Sequence, residues 1–144
     1  MNISVRRESV FELHPQLAKD CRVVGDLKLC RVLLANDSNY PWLILVPMRE
    51  NIQEAFQLSL EDQAQLLKES TAVSEAIYKH FSADKLNVAA LGNMVPQLHI
   101  HHIVRYRNDP AWPKPVWGTI QANSYSETEI NVTLSKLKEL LFNS

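Results

Sequence analysis

The run from Gln97 to Arg105 constrains the fold of this chain most, because apolar side chains alternate in it with polar ones. A β-strand points successive side chains to opposite faces, so a strand here would place His99 and His101 on one face, with Gln97 two residues upstream. Imidazole changes charge near neutral pH and acts as a nucleophile, a proton carrier or a ligand. The pattern therefore favours a row of reactive groups over the polar outer face of an ordinary strand.

The composition predicts one globular domain covering residues 1–144, because 46% of the residues are hydrophobic and 22% are charged. A formal net charge of -1 gives no electrostatic footprint for nucleic acid. No stretch reaches transmembrane length, and residues 1–12 hold no apolar core of a signal peptide. Cys21 and Cys30 lack the spacing of a metal or redox motif and are expected to be free thiols. We therefore expect a cytoplasmic protein without a membrane partner.

The first half of the chain reads as a polar lead-in, residues 1–9, followed by β-strands. Two β-rich runs, residues 21–24 and 27–35, flank Gly25-Asp26 and predict a hairpin that turns there. An apolar run between two prolines, residues 42–46, predicts a buried strand.

Serine caps mark two helices. Ser59 and Asp62 resemble a capping box, and apolar residues recur at three- and four-residue steps, which predicts a helix over residues 59–81. The run Ser126-Glu127-Thr128-Glu129 predicts the start of a final helix.

Between the helices, residues 86–91 predict a strand with a very short connection into the histidine run, so these two strands are expected to be antiparallel neighbours. Residues 106–118 hold Trp112 and Trp117 among prolines, for which packing or a dimer contact is favoured over a lid. The elements together predict an α+β domain with a mostly antiparallel sheet of about five strands, one long central helix and a C-terminal helix.

Two imidazoles at positions i and i+2 of a strand lie about 7 Å apart at the backbone. They can therefore engage one phosphate group from two sides. One neutral imidazole nitrogen can attack phosphorus, while the other imidazole donates to the phosphate or to the leaving group. The spacing of His99 and His101 suits a nucleophile and its helper.

The run Gln97-Leu98-His99-Ile100-His101-His102-Ile103 resembles the histidine-triad motif, in which three histidines alternate with apolar residues. Arg105 falls where many members of that family carry an arginine. The resemblance implies a histidine-triad fold with its core over residues 10–105, followed by a C-terminal loop and helix over residues 106–144. It assigns three catalytic positions: Gln97 is the first, His99 is the second, which is the nucleophile, and His101 is the third, which contacts the phosphate or leaving group. Gln97 would either orient a phosphate or only fill space.

The same resemblance implies a substrate and its contacts. Asn36 would contact a ribose or a nearby group, Asn93 would contact phosphates, and Arg105 could pair with a phosphate or with a surface carboxylate. The family includes nucleotide phosphoramidases, dinucleoside polyphosphate hydrolases and nucleotidyltransferases. The chain is thus expected to cleave a nucleoside monophosphate conjugate through a nucleotidyl-histidine intermediate, with a purine nucleotide or conjugate as partner and no cofactor. Family members are commonly homodimers.

Three departures from the motif keep other readings open. Gln97 replaces the first histidine, Pro41-Trp42 replaces a common Gly-His pair, and His102 replaces an apolar residue and is expected to be structural. Because nucleophile and helper are present, activity is expected; the alternative is a protein that binds nucleotides without chemistry. Paired histidines could also hold zinc, but no third ligand with good spacing is evident, so no metal is expected.

Overall fold

One antiparallel sheet organises residues 10–143, the part of the chain that the computed structural model describes. The strand order is β1-β2-β3-β5-β4. The strands are β1 (Cys21–Asp26), β2 (Cys30–Ala35), β3 (Trp42–Pro47), β4 (Lys85–Ala89) and β5 (Ile100–Arg105). The helices are α1 (Pro15–Asp20), α2 (Leu60–His80) and α3 (Glu127–Phe142), with a short 3-10 helix at Ala55–Gln57. The predicted α+β class is confirmed, whereas the prediction for residues 1–9 lies outside the described residues.

The two faces of the sheet have different covers. On the first, which we call the helix face, α2 and α3 pack against Val32, Leu34 and Leu45. On the second, the α1 face, Leu17 of α1 packs against a cluster that includes Leu33. Alternate residues of β5 point to opposite faces, so His101 and His102 lie on different sides of the sheet.

Both predicted helix starts are confirmed. The Ser59 hydroxyl accepts a hydrogen bond from the Asp62 amide at 3.1 Å, and the Ser126 hydroxyl accepts one from the Glu129 amide at 3.2 Å. Each serine thereby satisfies an amide that the first turn leaves without an intrahelical acceptor. Within residues 10–143, no helix is long and apolar enough to cross a membrane.

The predicted turn at Gly25-Asp26 is wrong, because both residues belong to β1 and the chain reverses at residues 27–29. The reason for the glycine is a close approach: a Cβ atom on Gly25 would lie 2.8 Å from the ring of Phe142. The turn is held instead from α2, where the buried Glu69 carboxylate accepts from the amides of Leu29 and Cys30 at 2.9 and 2.8 Å.

The histidine strand starts later than the sequence predicts. β4 and β5 are antiparallel neighbours, as predicted, but β4 spans Lys85–Ala89 and the connection covers residues 90–99. Gln97 and His99 therefore lie in the approach to β5 rather than within it. Part of this approach is tied to another loop, since the Leu98 amide donates to the Ile52 carbonyl at 2.9 Å.

A buried ion pair fixes the loop after β5. The Arg105 guanidinium donates to both carboxylate oxygens of Asp109, at 2.8 and 3.1 Å, and both side chains are 2% exposed. Its other contacts are the Asn87 side chain at 2.7 Å and the Lys114 carbonyl at 2.9 Å. A buried charge with this many partners is satisfied, and it holds residues 106–114 against the sheet.

The substitution Asp109→Asn should destabilise the protein by about 3–5 kcal/mol, because it leaves the Arg105 charge buried without its counter-ion. Urea unfolding at neutral pH measures this. The matched control is Glu75→Gln, which removes an exposed pair with Lys79 and should leave the unfolding midpoint almost unchanged. Equal effects of the two substitutions would show that the Arg105 pair does not organise the loop.

Candidate active site

His99 and His101 lie side by side on the α1 face. Their ring centroids are 5.0 Å apart at an interplanar angle of 73°, and the residues are 6% and 7% exposed. The pair predicted from the alternation is thus brought together, with His101 in β5 opposite Ile44 of β3. Two nearly buried imidazoles at this distance can both reach one small group.

The hydrogen bond of the His99 ring determines which of its nitrogens is free. Its Nδ1 lies 2.7 Å from the carbonyl oxygen of Gln97. A carbonyl only accepts, so Nδ1 carries the proton and donates it. In neutral His99 the lone pair is therefore on Nε2.

Neutral His101 is the other tautomer, with its proton on the other ring nitrogen. The indole N–H of Trp42 donates to His101 Nδ1 at 3.0 Å, and an indole nitrogen cannot accept in return. The proton of neutral His101 is therefore on Nε2. Burial, followed by the nearby His99 and His102, lowers the pKa of His101 to about 4, so the ring is neutral at pH 7.

Both Nε2 atoms lack a hydrogen-bond partner in the part of the chain that the structure describes, and they are not completely buried. Within the described residues, neither His99 Nε2 nor His101 Nε2 has a hydrogen-bond partner. Tyr40 Oη is the one fully buried side-chain nitrogen or oxygen in residues 10–143 without a partner, so the two Nε2 atoms are not sealed in the interior. The site therefore offers a lone pair on His99 next to an N–H donor on His101.

Two tryptophans enclose the His101 ring. Trp117 meets it edge to face at a centroid distance of 5.1 Å, and Trp42 does so at 5.6 Å. The two indoles also contact each other at 5.9 Å. Trp117 comes from the loop after β5, where Trp112 packs instead on the Arg105 guanidinium at 5.6 Å. Both tryptophans pack within the chain, which is one of the two roles, packing or a dimer contact, that the sequence favours.

The side chain of Gln97 faces the segment before α1. Its amide oxygen accepts from the His14 amide at 2.8 Å, and its amide nitrogen donates to the Glu12 carbonyl at 2.9 Å. The side-chain amide thus accepts one main-chain hydrogen bond and donates another, as a backbone peptide group does in a β-sheet. Gln97, expected among the catalytic side chains, contacts His99 through its main-chain carbonyl.

The three residues predicted to contact substrate, Asn36, Asn93 and Arg105, lie in different surroundings. Asn36 accepts from the Tyr125 amide at 3.0 Å, and Asn93 is exposed in the connection before β5. Within residues 10–143, no hydrogen bond joins either asparagine to the histidine pair. Arg105 is buried, and Asp109, Asn87 and Lys114 engage its donors. Of the two partners expected for it, a phosphate or a surface carboxylate, the structure shows a carboxylate, but a buried one.

His102 is structural, as the sequence predicts. It lies on the helix face, where its Nδ1 donates to the Ile100 carbonyl at 3.0 Å and its Nε2 accepts from the Ser70 hydroxyl at 2.7 Å. Burial lowers the pKa of His102 to about 4. In the described part of the chain, no three His, Cys, Asp or Glu side chains come together as metal ligands.

Trp42 is the site residue that sequence reasoning missed. Its effect depends on the pairing of β3 with β5, which sets Trp42 diagonally across from His101 on one face. The available signal was its position: Trp42 follows Pro41 where the resemblance has a Gly-His pair. The histidine usual at this position can both donate and accept hydrogen bonds, whereas an indole can only donate. Tryptophan here therefore indicates a fixed donor.

Comparison with known proteins agrees with this fold. The HIT domain family matches residues 16–108. A histidine triad protein from Marinobacter aquaeolei is 52% identical, covers 92% of this chain and 97% of its own, and superposes with a TM-score of 0.89. Histidine triad proteins from Bradyrhizobium japonicum and Sinorhizobium meliloti are 45% and 43% identical, each covering 92% of this chain and 98% of its own, with TM-scores of 0.88. No curated protein sequence matches significantly. The chain belongs to the HIT domain family.

The buried imidazoles of His101 and His102 predict a loss of stability in mild acid. Their folded-state pKa values of about 4 lie below the ordinary value of 6.5, so the unfolded chain binds more protons between these values. Stability is therefore fully present above pH 6.5 and falls as the pH drops towards 4, by about 2 kcal/mol for each imidazole between pH 7 and 5. Urea unfolding at both pH values should show a smaller decrease for His102→Asn than for the wild type. Equal decreases would contradict the burial of a neutral His102.

Proposed function

We propose that this protein is a nucleotide hydrolase or nucleotidyltransferase that cleaves a nucleoside monophosphate conjugate through a nucleotidyl-histidine intermediate. The observation that carries the proposal is the pair of hydrogen bonds that assigns opposite tautomers to His99 and His101, whose ring centroids lie 5.0 Å apart. Membership of the HIT domain family supports the same class of reaction. The substrate class we propose is a purine nucleotide joined to its leaving group through a phosphoanhydride or a phosphoramidate.

In the first step, the lone pair on His99 Nε2 forms a bond to phosphorus. The bond from phosphorus to the leaving group breaks, and its electron pair departs with that group. The His99 ring gains a positive charge, which is shared with the Nδ1–H that the Gln97 carbonyl accepts. The His101 Nε2–H donates a hydrogen bond to a phosphoryl oxygen as negative charge builds on it.

In the second step, water or another acceptor attacks the phosphorus of the intermediate. The new oxygen–phosphorus bond forms as the bond to His99 Nε2 breaks, and the electron pair returns to that nitrogen. The attacking group loses its proton to solvent. His99 recovers the neutral form with the proton on Nδ1, so the cycle can repeat.

We further propose that the protein works as a cytoplasmic homodimer. Cys21 and Cys30 are free and buried, and burial raises the pKa of the Cys21 thiol to about 12. Unreactive reduced thiols suit a reducing compartment. Light scattering of the purified chain tests the dimer.

Replacing His99 tests the nucleophile. His99→Gly should lower kcat/KM on nucleotide conjugates by about a thousandfold or more, and added imidazole should restore part of the rate by occupying the vacated space. In the wild type, rapid acid-free quenching and mass spectrometry should reveal a peptide that contains His99 and carries one nucleoside monophosphate.

The matched control is His80→Gly, which removes an imidazole from the exposed end of α2, outside the site. It should keep the wild-type rate. Full turnover by the His99→Gly variant would refute the nucleophile. AMP binding by the wild type, with no turnover on any conjugate, would instead identify a nucleotide-binding protein without chemistry.

A further inference from the structure

The hydrogen bond from Trp42 to His101 restricts more than the position of the ring. Trp42 Nε1 lies 3.0 Å from His101 Nδ1, and this pair is held by neighbouring antiparallel strands. An indole N–H is only a donor at any accessible pH. It therefore requires a lone pair on His101 Nδ1, in every state in which the bond exists.

If His101 acted as a general acid, its Nδ1 would need a proton instead of a lone pair. To protonate a leaving group without becoming an imidazolate, an imidazole must first be an imidazolium with protons on both nitrogens. A proton on His101 Nδ1 would face the proton of the Trp42 indole, and the bond would be lost. Neutral His101 can donate a hydrogen bond through Nε2, but it cannot give that proton away at neutral pH.

We propose that Trp42 is a positioning residue that keeps His101 a neutral hydrogen-bond donor, and that the site therefore favours substrates whose leaving group departs as a stable anion. This inference rests on the proposed function. Phosphate-containing leaving groups of phosphoanhydrides meet the condition, because their charge is spread over several oxygens. An alkylamine leaving group of a phosphoramidate does not, because it must acquire a proton as the bond to phosphorus breaks.

The surroundings of His101 support this assignment. The ring is almost buried between Trp42 and Trp117, and the titratable groups that act on it are His99 and His102. Both are imidazoles, so neither supplies a negative charge that would stabilise an imidazolium. Within the described residues, no carboxylate is hydrogen-bonded to His101.

Nitrogen-15 NMR of the histidine rings tests the assignment without any substrate. At pH 7 the wild type should show His101 with a protonated Nε2 and an unprotonated Nδ1. Trp42→Phe keeps an aromatic ring but removes the donor, so His101 should become a tautomer mixture with a raised pKa. Trp117→Phe is the matched control, because it changes the other indole against the ring and leaves the hydrogen bond in place; the tautomer should stay as in the wild type.

Leaving-group dependence tests the selectivity. Turnover of adenosine monophosphate aryl esters by the wild type should fall steeply as the pKa of the phenol rises, because no proton is transferred to it. With Trp42→Phe, the ratio of kcat/KM for a phosphoanhydride to that for an alkyl phosphoramidate should decrease by about tenfold. This factor corresponds to the contribution of one neutral hydrogen bond. The aryl series on the wild type needs no variant, so it holds even if Trp42→Phe does not fold.

Each result has a distinct meaning. A proton on His101 Nδ1 in the wild type, or a Trp42→Phe tautomer equal to that of the wild type, would overturn the role of Trp42. A flat dependence on the leaving group would overturn the selectivity. Full turnover by the His99→Gly variant would refute the proposed nucleophile, while the NMR result on Trp42 would still stand.

Discussion

The pairing of β3 with β5 is the constraint on which the site depends. It sets Ile44 opposite His101 and Trp42 opposite Ile103, so the indole and the imidazole share one face of the sheet. In another register the Trp42 N–H could not donate to His101 Nδ1, and the proton of His101 could reside on either nitrogen. The chemistry thus follows from strand pairing as much as from residue type.

Two segments are held in place by residues next to the histidine pair in the sequence, one by Gln97 and the other by Arg105. The Gln97 amide holds the main chain of Glu12 and His14 on one side. The Arg105–Asp109 pair holds the loop that brings Trp117 against His101 on the other. Gln97, predicted as catalytic, and Arg105, predicted to bind substrate, thus hold other segments of the chain in place.

The sequence predicts the features that depend on local patterns, and it misses those that depend on distant partners. The alternation around His99 and His101 predicts their shared face, and the serines at 59 and 126 predict the helix starts. The partners of Gln97 and Trp42 lie 83 and 59 residues away along the chain, and no local periodicity reports such contacts. Gly25 misleads for the same reason, since the Phe142 ring that requires it belongs to the last helix.

A crystal structure with bound AMP would test the central claim most directly. We expect the phosphorus to lie about 3–3.5 Å from His99 Nε2, the distance of a group poised for attack. One phosphoryl oxygen should accept a hydrogen bond from His101 Nε2, while Trp42 still donates to His101 Nδ1. A phosphate bound away from both rings, or held with His99 Nδ1 turned towards it, would contradict the account.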